Sequence, residues 1–180
     1  RGHRQQPGGR RWQQRDQGSQ SSRGKATGPS RILQEFQSRV ALAPTRRIHL
    51  AGPGAPLTLR VLDLLCPIGF GQRALILAPP KTGKTTFLKD ICNGVTAGAP
   101  EVKLYCLLVD ERPEEVTDFR RSVKAEVFAS SNDRALEEHL AAAAACLEQV
   151  ITDAVAGHDV VVVVDSLTRL SRAHNLNTRS

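Results

Sequence analysis

The fold of this chain is decided by Leu75-Ile76-Leu77-Ala78-Pro79-Pro80-Lys81-Thr82-Gly83-Lys84-Thr85-Thr86. The apolar run from Ala74 to Leu77 predicts a buried strand. A tight loop follows, and the spacing of apolar residues after Gly83 predicts a helix that ends between Gly94 and Gly98. A strand, a loop, Gly-Lys-Thr and a helix in this order are typical of a phosphate-binding loop.

The residue types of this loop suit a nucleotide. Backbone N–H groups at a helix start attract a phosphate, and Gly83 allows a close approach of the backbone. Lys84 supplies a positive charge to the β- and γ-phosphates, and the Thr85 hydroxyl is a ligand for Mg²⁺. The general pattern has a glycine where Ala78 stands. The alternative, a solvated lysine on an ordinary helix cap, leaves the flanking strand and helix patterns unexplained.

The composition is that of a soluble fold with one domain and a tail. The chain has 180 residues, of which 40% are hydrophobic and 24% charged. No apolar stretch approaches the ~20 residues of a membrane span, and no signal-peptide pattern opens the chain. Because residue 1 is Arg, we expect a fragment or a processed form, natural or made for expression.

The positive charge is concentrated in residues 1–30. They hold seven Lys or Arg and one Asp, and they lack Ile, Leu, Val, Phe and Met. Such a segment cannot bury enough apolar surface to offset its ordering entropy, so we expect a disordered basic tail. Two roles stay open for it. One is electrostatic contact with RNA or DNA, with Trp12 stacking on a base. The other is a solvated linker.

Beyond the tail we expect a connecting segment over 31–60 and an ATPase-like domain over 61–180. Within the connecting segment, residues 45–60 are predicted to form short extended pieces broken by Gly52, Pro53, Gly54 and Pro56. The predicted elements are a strand over 102–109, a helix from Pro113 through Val123, a short strand over 127–129, a helix over 134–156, a strand of five valines over 160–164 buried on both faces, and a helix over 166–175. This alternation predicts an α/β fold with a mostly parallel sheet flanked by helices. Lys84, Glu111 and Asp165 each follow a strand end, so they should converge on one edge.

The chemistry expected at this edge is ATP hydrolysis. A valine-rich strand that ends in Asp165 is the context of an Mg²⁺ support acting with Thr85; the alternative is a cap on the next helix. Glu111 is the candidate general base for a water. The alternative is that it is an ordinary acidic residue at the start of a helix. Arg112 is expected to face a phosphate or a neighbouring subunit, and a surface ion pair is its alternative.

Four cysteines, Cys66, Cys92, Cys106 and Cys146, are widely spaced and contain no Cys-x-x-Cys. This spacing favours buried thiols in a reducing cytoplasm over a zinc site.

Four segments carry a family resemblance. They are Pro67-Ile68-Gly69-Phe70-Gly71-Gln72-Arg73, Ala78-Pro79-Pro80-Lys81-Thr82-Gly83-Lys84-Thr85, Val109-Asp110-Glu111-Arg112-Pro113-Glu114-Glu115-Val116 and Asp165-Ser166-Leu167-Thr168-Arg169-Leu170. In order and spacing they resemble the bacterial transcription termination factor Rho family, over about residues 31–177. The Ala-Pro-Pro form of the loop is itself a mark of that family.

The resemblance implies a RecA-type P-loop NTPase: a homohexameric ring that hydrolyses ATP with Mg²⁺ and pulls on RNA as a helicase, ending transcription by the RNA polymerase complex. It implies that the nucleotide is lined by Gly69, Phe70, Gly71, Gln72, Arg73, Ala74, Lys81, Thr82, Gly83, Lys84, Thr85 and Thr86, with Arg112 near it. It further implies that Glu111 polarises the attacking water with Lys84 as the other catalytic residue, and that Thr85 and Asp165 hold the metal. Phe70 and Ala74 occupy positions at which the family varies.

Two departures from the family shape our expectation. The family has an OB-like RNA-binding domain ahead of the motor, which residues 1–30 cannot form. Its arginine finger and pore loops should lie after the last strand predicted here. We therefore expect the nucleotide-binding half of the motor, truncated on its C-terminal side and weak or inactive alone. The alternative is a truncated, non-motor nucleotide- or RNA-binding protein. A P-loop small-molecule kinase is disfavoured because Glu111 suits a water and no acceptor-binding lid can be identified.

Overall fold

The computed structural model describes residues 31–40, 43–79 and 81–177. The predicted tail, residues 1–30, lies outside the described residues. In chain order the elements are α1 (Arg31–Ser38), β1 (Arg47–Ile48), α2 (Leu57–Leu65), β2 (Ile68–Gly69), α3 (Lys84–Gly98), β3 (Lys103–Glu111), α4 (Pro113–Ser122), β4 (Glu126–Ser131), α5 (Leu136–Val155), β5 (Val160–Asp165) and α6 (Leu167–Asn177). Within these residues no helix has the length and apolar character needed to cross a bilayer.

The main sheet has three parallel strands in the order β4-β3-β5. The central strand, β3, is apolar along its length because both of its faces are covered. Its residues 104, 106 and 108 pack with α3 and α4, while residues 105, 107 and 109 pack with α5. The predicted α/β architecture with helices flanking a parallel sheet is therefore confirmed for these strands. The parallel direction brings the ends of β3 and β5 to one edge.

The prediction of a buried strand over residues 74–77 is wrong. These residues form no strand, and Leu75 and Leu77 are 70% and 86% exposed. A strand needs a neighbour for its N–H and C=O groups, and no described strand pairs with this segment. The prediction that the valine strand is buried on both faces is also wrong. β5 lies at a sheet edge, where Val162 is 37% exposed and only Val163 among its valines is buried.

The connecting segment is more helical than predicted. Sequence reasoning gave only short extended pieces over residues 45–60, whereas α2 already begins at Leu57. Pro56 precedes the helix at its N-cap, and Leu59 on the inner face is buried. Inside α2, the carboxylate of Asp63 accepts backbone hydrogen bonds from Leu50 and Ala51 at 3.1 and 2.8 Å. This carboxylate fixes α2 to the segment that follows β1.

Helix α3 packs against the same segment at its C-terminal end. A Cβ added to Gly98 would lie 1.8 Å from the carbonyl oxygen of His49, and one added to Gly94 would lie 2.8 Å from that of Leu50. Only glycine permits this approach of two backbones. The two glycines therefore set the position of the helix that begins with Lys84.

Candidate nucleotide-binding site

The phosphate loop leads into α3 without a side-chain cap. Gly83 is the N-cap residue and has a φ of 85°. It makes no side-chain hydrogen bond that would cap the helix. Lys81 also has a positive φ, of 63°, and the Thr82 hydroxyl donates a 2.7 Å hydrogen bond to the carbonyl of Pro79. The first N–H groups of α3 have no side-chain partner and carry the positive end of the helix dipole. This arrangement is suited to a phosphate group.

Lys84 and Asp165 meet at the edge of the sheet. The Lys84 ammonium is hydrogen-bonded to the carboxylate of Asp165, which ends β5 and is 1% exposed. A carboxylate so deeply buried requires a cationic partner. The capping alternative for Asp165 is not what the structure shows, because the Ser166 hydroxyl accepts the hydrogen bond from the Arg169 N–H in the next turn, at 3.4 Å. The Asp165 carboxylate faces Lys84 instead.

Glu111 reaches the same edge through an irregularity in β3. The pairing with β4 shifts register between Val109 and Glu111, and Asp110 between them has a φ of 59°. Glu111 is nearly buried, and its carboxylate lies 2.5 Å from Nη1 of Arg169. Burial raises the pKa of Glu111 above its usual value, and the Arg169 guanidinium partly opposes this. Such a carboxyl suits a general base better than a fully solvated one.

Arg169 is the site residue that sequence reasoning missed. Its Nη1 also donates a 2.5 Å hydrogen bond to the carbonyl of Asp110, so one guanidinium holds both the bulge and the Glu111 carboxylate. The available signal was its spacing. Arg169 lies four residues after Asp165, about one helical turn beyond the end of β5, which returns it to the same edge.

The structure therefore brings Lys84 into contact with Asp165 and Glu111 into contact with Arg169, and β3 and β5, which carry the two acids, end at the same edge of the sheet. The roles assigned to these residues stay predictions.

The residues predicted ahead of the loop are arranged around β2. Gly69 pairs with Arg47 of β1 and donates a hydrogen bond to the Gln72 side chain at 2.8 Å. The guanidinium of Arg46 lies 3.7 Å from the centre of the Phe70 ring. Gly71, Gln72, Arg73 and Ala74 are exposed. Their nucleotide contacts also stay predictions.

Other predicted site residues lie at the surface. Lys81, Thr82 and Thr86 are exposed, while Thr85 is half-buried in the first turn of α3. Arg112 is exposed at the N-cap of α4. The alternative of a surface ion pair for Arg112 does not occur among the described residues. Neither does any group of three or more His, Cys, Asp or Glu side chains that could hold a metal ion.

The cysteine prediction is correct for three of the four residues. Cys92, Cys106 and Cys146 are buried free thiols, whereas Cys66 is exposed. Cys66 follows the last residue of α2, where the helix ends and the chain turns toward β2, so its neighbours in sequence do not cover it.

Comparison with known proteins gives consistent matches. The profile of the ATP synthase alpha/beta family, nucleotide-binding domain, matches residues 58–176. The transcription termination factor Rho of Streptomyces coelicolor is 51% identical over 140 residues, covering 78% of this chain and 34% of that protein. The Rho factors of Mycobacterium tuberculosis and Bacillus subtilis are 52% and 46% identical over 141 residues, which are 23% and 33% of their lengths and 78% of this chain. The predicted resemblance is thus confirmed.

A solved structure is similar as well. It is that of a prototypical ATPase from the type III secretion system of pathogenic bacteria, with a TM-score of 0.60 and 28% identity over 78% of this chain and 42% of that one. The chain spans about a third or less of the length of the Rho relatives named above.

Proposed function

The chain belongs to the ATP synthase alpha/beta family through its nucleotide-binding domain, and from this premise we propose that it binds ATP and Mg²⁺ where Lys84, Asp165 and Glu111 meet. The observation that carries the proposal is the contact of the phosphate-loop lysine with the buried carboxylate at the end of β5. The ammonium of Lys84 neutralises the negative charge of Asp165, which Mg²⁺ would neutralise when bound. The proposed site is therefore neutralised internally before a ligand arrives.

The described residues fit the nucleotide and the metal. The uncapped start of α3 and Lys84 receive the β- and γ-phosphates. Thr85 and the buried carboxylate of Asp165 hold Mg²⁺, which supplies charge neutralisation at the phosphate oxygens when bound. A small number of protein ligands is normal for this ion, because it keeps several waters and uses the phosphates themselves. Gly69 to Ala74, Lys81, Thr82, Thr86 and Arg112 complete the proposed nucleotide contacts.

Glu111 is proposed as the residue that orients the attacking water. Its partly desolvated carboxylate accepts a proton more readily than an exposed one, and Arg169 restricts its position. Hydrolysis at a phosphate loop depends mainly on positioning and on stabilisation of charge. Glu111 supplies the first, and Lys84 supplies the second through its ammonium.

For the whole protein we propose an ATP-driven motor that moves along RNA in transcription termination. The identity of about half of the aligned residues to several Rho factors supports this proposal. Its partners are then RNA, the RNA polymerase transcription complex and further copies of the chain in a homohexamer, in the cytoplasm.

The direct test is ATP binding. Isothermal titration with ATP and Mg²⁺ should give a single site in the unchanged chain. Lys84→Ala should weaken it by about a hundredfold or more, because the phosphates lose their cation and Asp165 is left unpaired. The matched control is Lys89→Ala, five residues further along α3, where the lysine pairs with Asp118 at the surface. Equal binding by both variants, or none by the unchanged chain, would refute the proposal.

A further inference from the structure

Two cysteine side chains meet in the core outside the proposed nucleotide site. Cys92 lies in the middle of α3 and Cys106 in the middle of β3. Their sulfur atoms are 3.6 Å apart, and both residues are fully buried. Neither side chain takes part in the site described above. Both belong to elements that form it, because α3 begins with Lys84 and β3 ends with Glu111.

The surroundings make this pair specific. Cys66 is exposed near the end of α2, and Cys146 packs on the opposite face of the sheet with Tyr105, Leu107 and Val109. Cys92 and Cys106 share one core cluster on the face covered by α3 and α4. A disulfide needs sulfur atoms about 2.0 Å apart. The Cys92 and Cys106 sulfur atoms, 3.6 Å apart, are near this distance, whereas Cys146 lies on the other face of β3.

The two thiols are electrostatically unequal. The hydrogen bond between the two thiols lowers the pKa of Cys92, and the same bond raises the pKa of Cys106. The thiolate is the reactive form of cysteine. These directions favour Cys92 as the attacking sulfur and Cys106 as the resolving one.

We propose that Cys92 and Cys106 are an oxidation site, at which a peroxide converts the two thiols into a disulfide that joins α3 to β3. The Cys92 thiolate attacks one oxygen of hydrogen peroxide, so an S–O bond forms, the O–O bond breaks and hydroxide leaves. Cys106 then attacks the sulfur of the resulting sulfenic acid; the S–S bond forms, the S–O bond breaks and water leaves with the Cys106 proton. Two thiols lose two electrons and one peroxide is reduced.

Burial determines when this reaction occurs. Because both sulfur atoms are covered, the oxidant reaches them only through local opening of the core, so the reaction is slow in the closed fold. In a reducing compartment the pair stays as thiols, and the disulfide forms under oxidative load. Formation of the disulfide does not depend on the proposed function. Its effect on nucleotide binding rests on that function, because the bond would fix the helix carrying Lys84 to the strand carrying Glu111.

The test is peptide mapping of the oxidised chain. Cys66→Ser provides a background free of links through the exposed thiol, and the unchanged chain is run beside it. After hydrogen peroxide and alkylation of the remaining thiols, trypsin cuts at Lys103, between the two cysteines. We expect a disulfide-linked pair of peptides containing Cys92 and Cys106, lost on treatment with dithiothreitol. Adding Cys106→Ser to the background should abolish it. The oxidised chain should also unfold at a higher denaturant concentration, because the link restricts the unfolded chain.

Several results would overturn the proposal. They are complete alkylation of both cysteines after peroxide treatment, sulfinic acid on Cys92 without the linked peptides, a link from either residue to Cys146, and an oxidised chain that unfolds at a lower denaturant concentration than the reduced one.

Discussion

A carboxylate lies near each end of β3, and the pKa values of the two carboxylates are shifted in opposite directions. At the amino end, the carboxylate of Asp153 on α5 accepts hydrogen bonds from Lys103 at 2.7 Å, from Gln149 at 3.3 Å and from the Tyr105 hydroxyl. At the carboxyl end, Glu111 has one cationic partner, Arg169. The hydrogen bonds from Lys103 and Tyr105 lower the pKa of Asp153 to about 2, whereas burial raises that of Glu111.

The difference distinguishes a carboxylate with several hydrogen-bond donors from the carboxylates of the proposed nucleotide site. The amino-end carboxylate has three donors and gains nothing from a further ligand. The carboxyl-end acids are buried with single, partly exposed cations, and the neighbouring helix start has no cap. Binding sites characteristically retain such unfulfilled interactions and perturbed pKa values. Changes at the two ends should therefore affect different measurements.

The largest effect is expected at Glu111. Made in the whole protein, Glu111→Gln removes the proton acceptor while keeping the size of the side chain, so hydrolysis should fall about 10²- to 10⁴-fold and ATP affinity should stay within about twofold. Single-turnover phosphate release and ATP titration on the same preparation measure the two quantities. Retained turnover would remove Glu111 from its proposed role.

A smaller loss is expected at Arg169. Arg169→Gln removes the bonds to Asp110 and Glu111, so Glu111 loses its fixed position and turnover should fall about tenfold at unchanged ATP affinity. Arg169→Lys keeps the charge and should recover part of the loss. An equal reduction in ATP affinity would instead assign Arg169 to ligand binding.

At the amino end, Tyr105→Phe should alter stability alone. The variant loses the hydroxyl that donates to Asp153, at a cost of about 1 kcal/mol in the free energy of unfolding. Urea denaturation measures this change, and ATP affinity should remain that of the unchanged chain. Arg134→Ala, which removes an exposed pair with Glu138, is the control and should change stability by less than about 0.5 kcal/mol. Weakened ATP binding in Tyr105→Phe would show that the two ends are coupled.

The last prediction concerns the pH dependence of stability. The pKa of Asp153 is about 2 in the folded chain against 3.8 for the ordinary side chain, so its stabilising contribution is complete above pH 4 and is lost as the pH falls toward 2. The urea midpoint should therefore decline through this range, and less steeply in Asp153→Asn. Burial and the bond to Asp153 raise the pKa of Tyr105 to about 12, so its hydroxyl remains a donor at neutral pH. If the urea midpoints of the unchanged chain and of Asp153→Asn decline equally with falling pH, Asp153 is not the source of the loss.

Local patterns predicted which residues lie at the edge of the sheet better than they predicted the elements around that edge. Lys84, Glu111 and Asp165 each follow an apolar run, and the parallel arrangement of β3 and β5 is sufficient to bring the last two together. The spacing of Arg169 after Asp165 places it at the same edge, but its bond to the carbonyl of Asp110 involves a backbone with a positive φ at that residue. That conformation is unusual for a residue other than glycine, and no local pattern announced it.

Elements that depend on a neighbour were predicted poorly. Residues 74–77 have the composition of a strand, but strand formation requires a hydrogen-bonding partner, which composition does not report. Helix α2 was obscured by Gly52, Pro53, Gly54 and Pro56, which suggested a broken segment. Its stability comes in part from Asp63 and the backbone of Leu50 and Ala51, a contact across the fold.

The glycine contacts at the rear of α3 have a mechanical consequence. Gly94 and Gly98 rest directly on the backbone of residues 49 and 50, which follow β1. β1 pairs with β2, and the Phe70 N–H bonds to the carbonyl of Arg46. A tilt of α3 would therefore displace residues 49 and 50 and, through the pairing of β1 with β2, residues 69–72. The proposed nucleotide contacts in residues 69–72 are thus mechanically coupled to the helix that begins with Lys84.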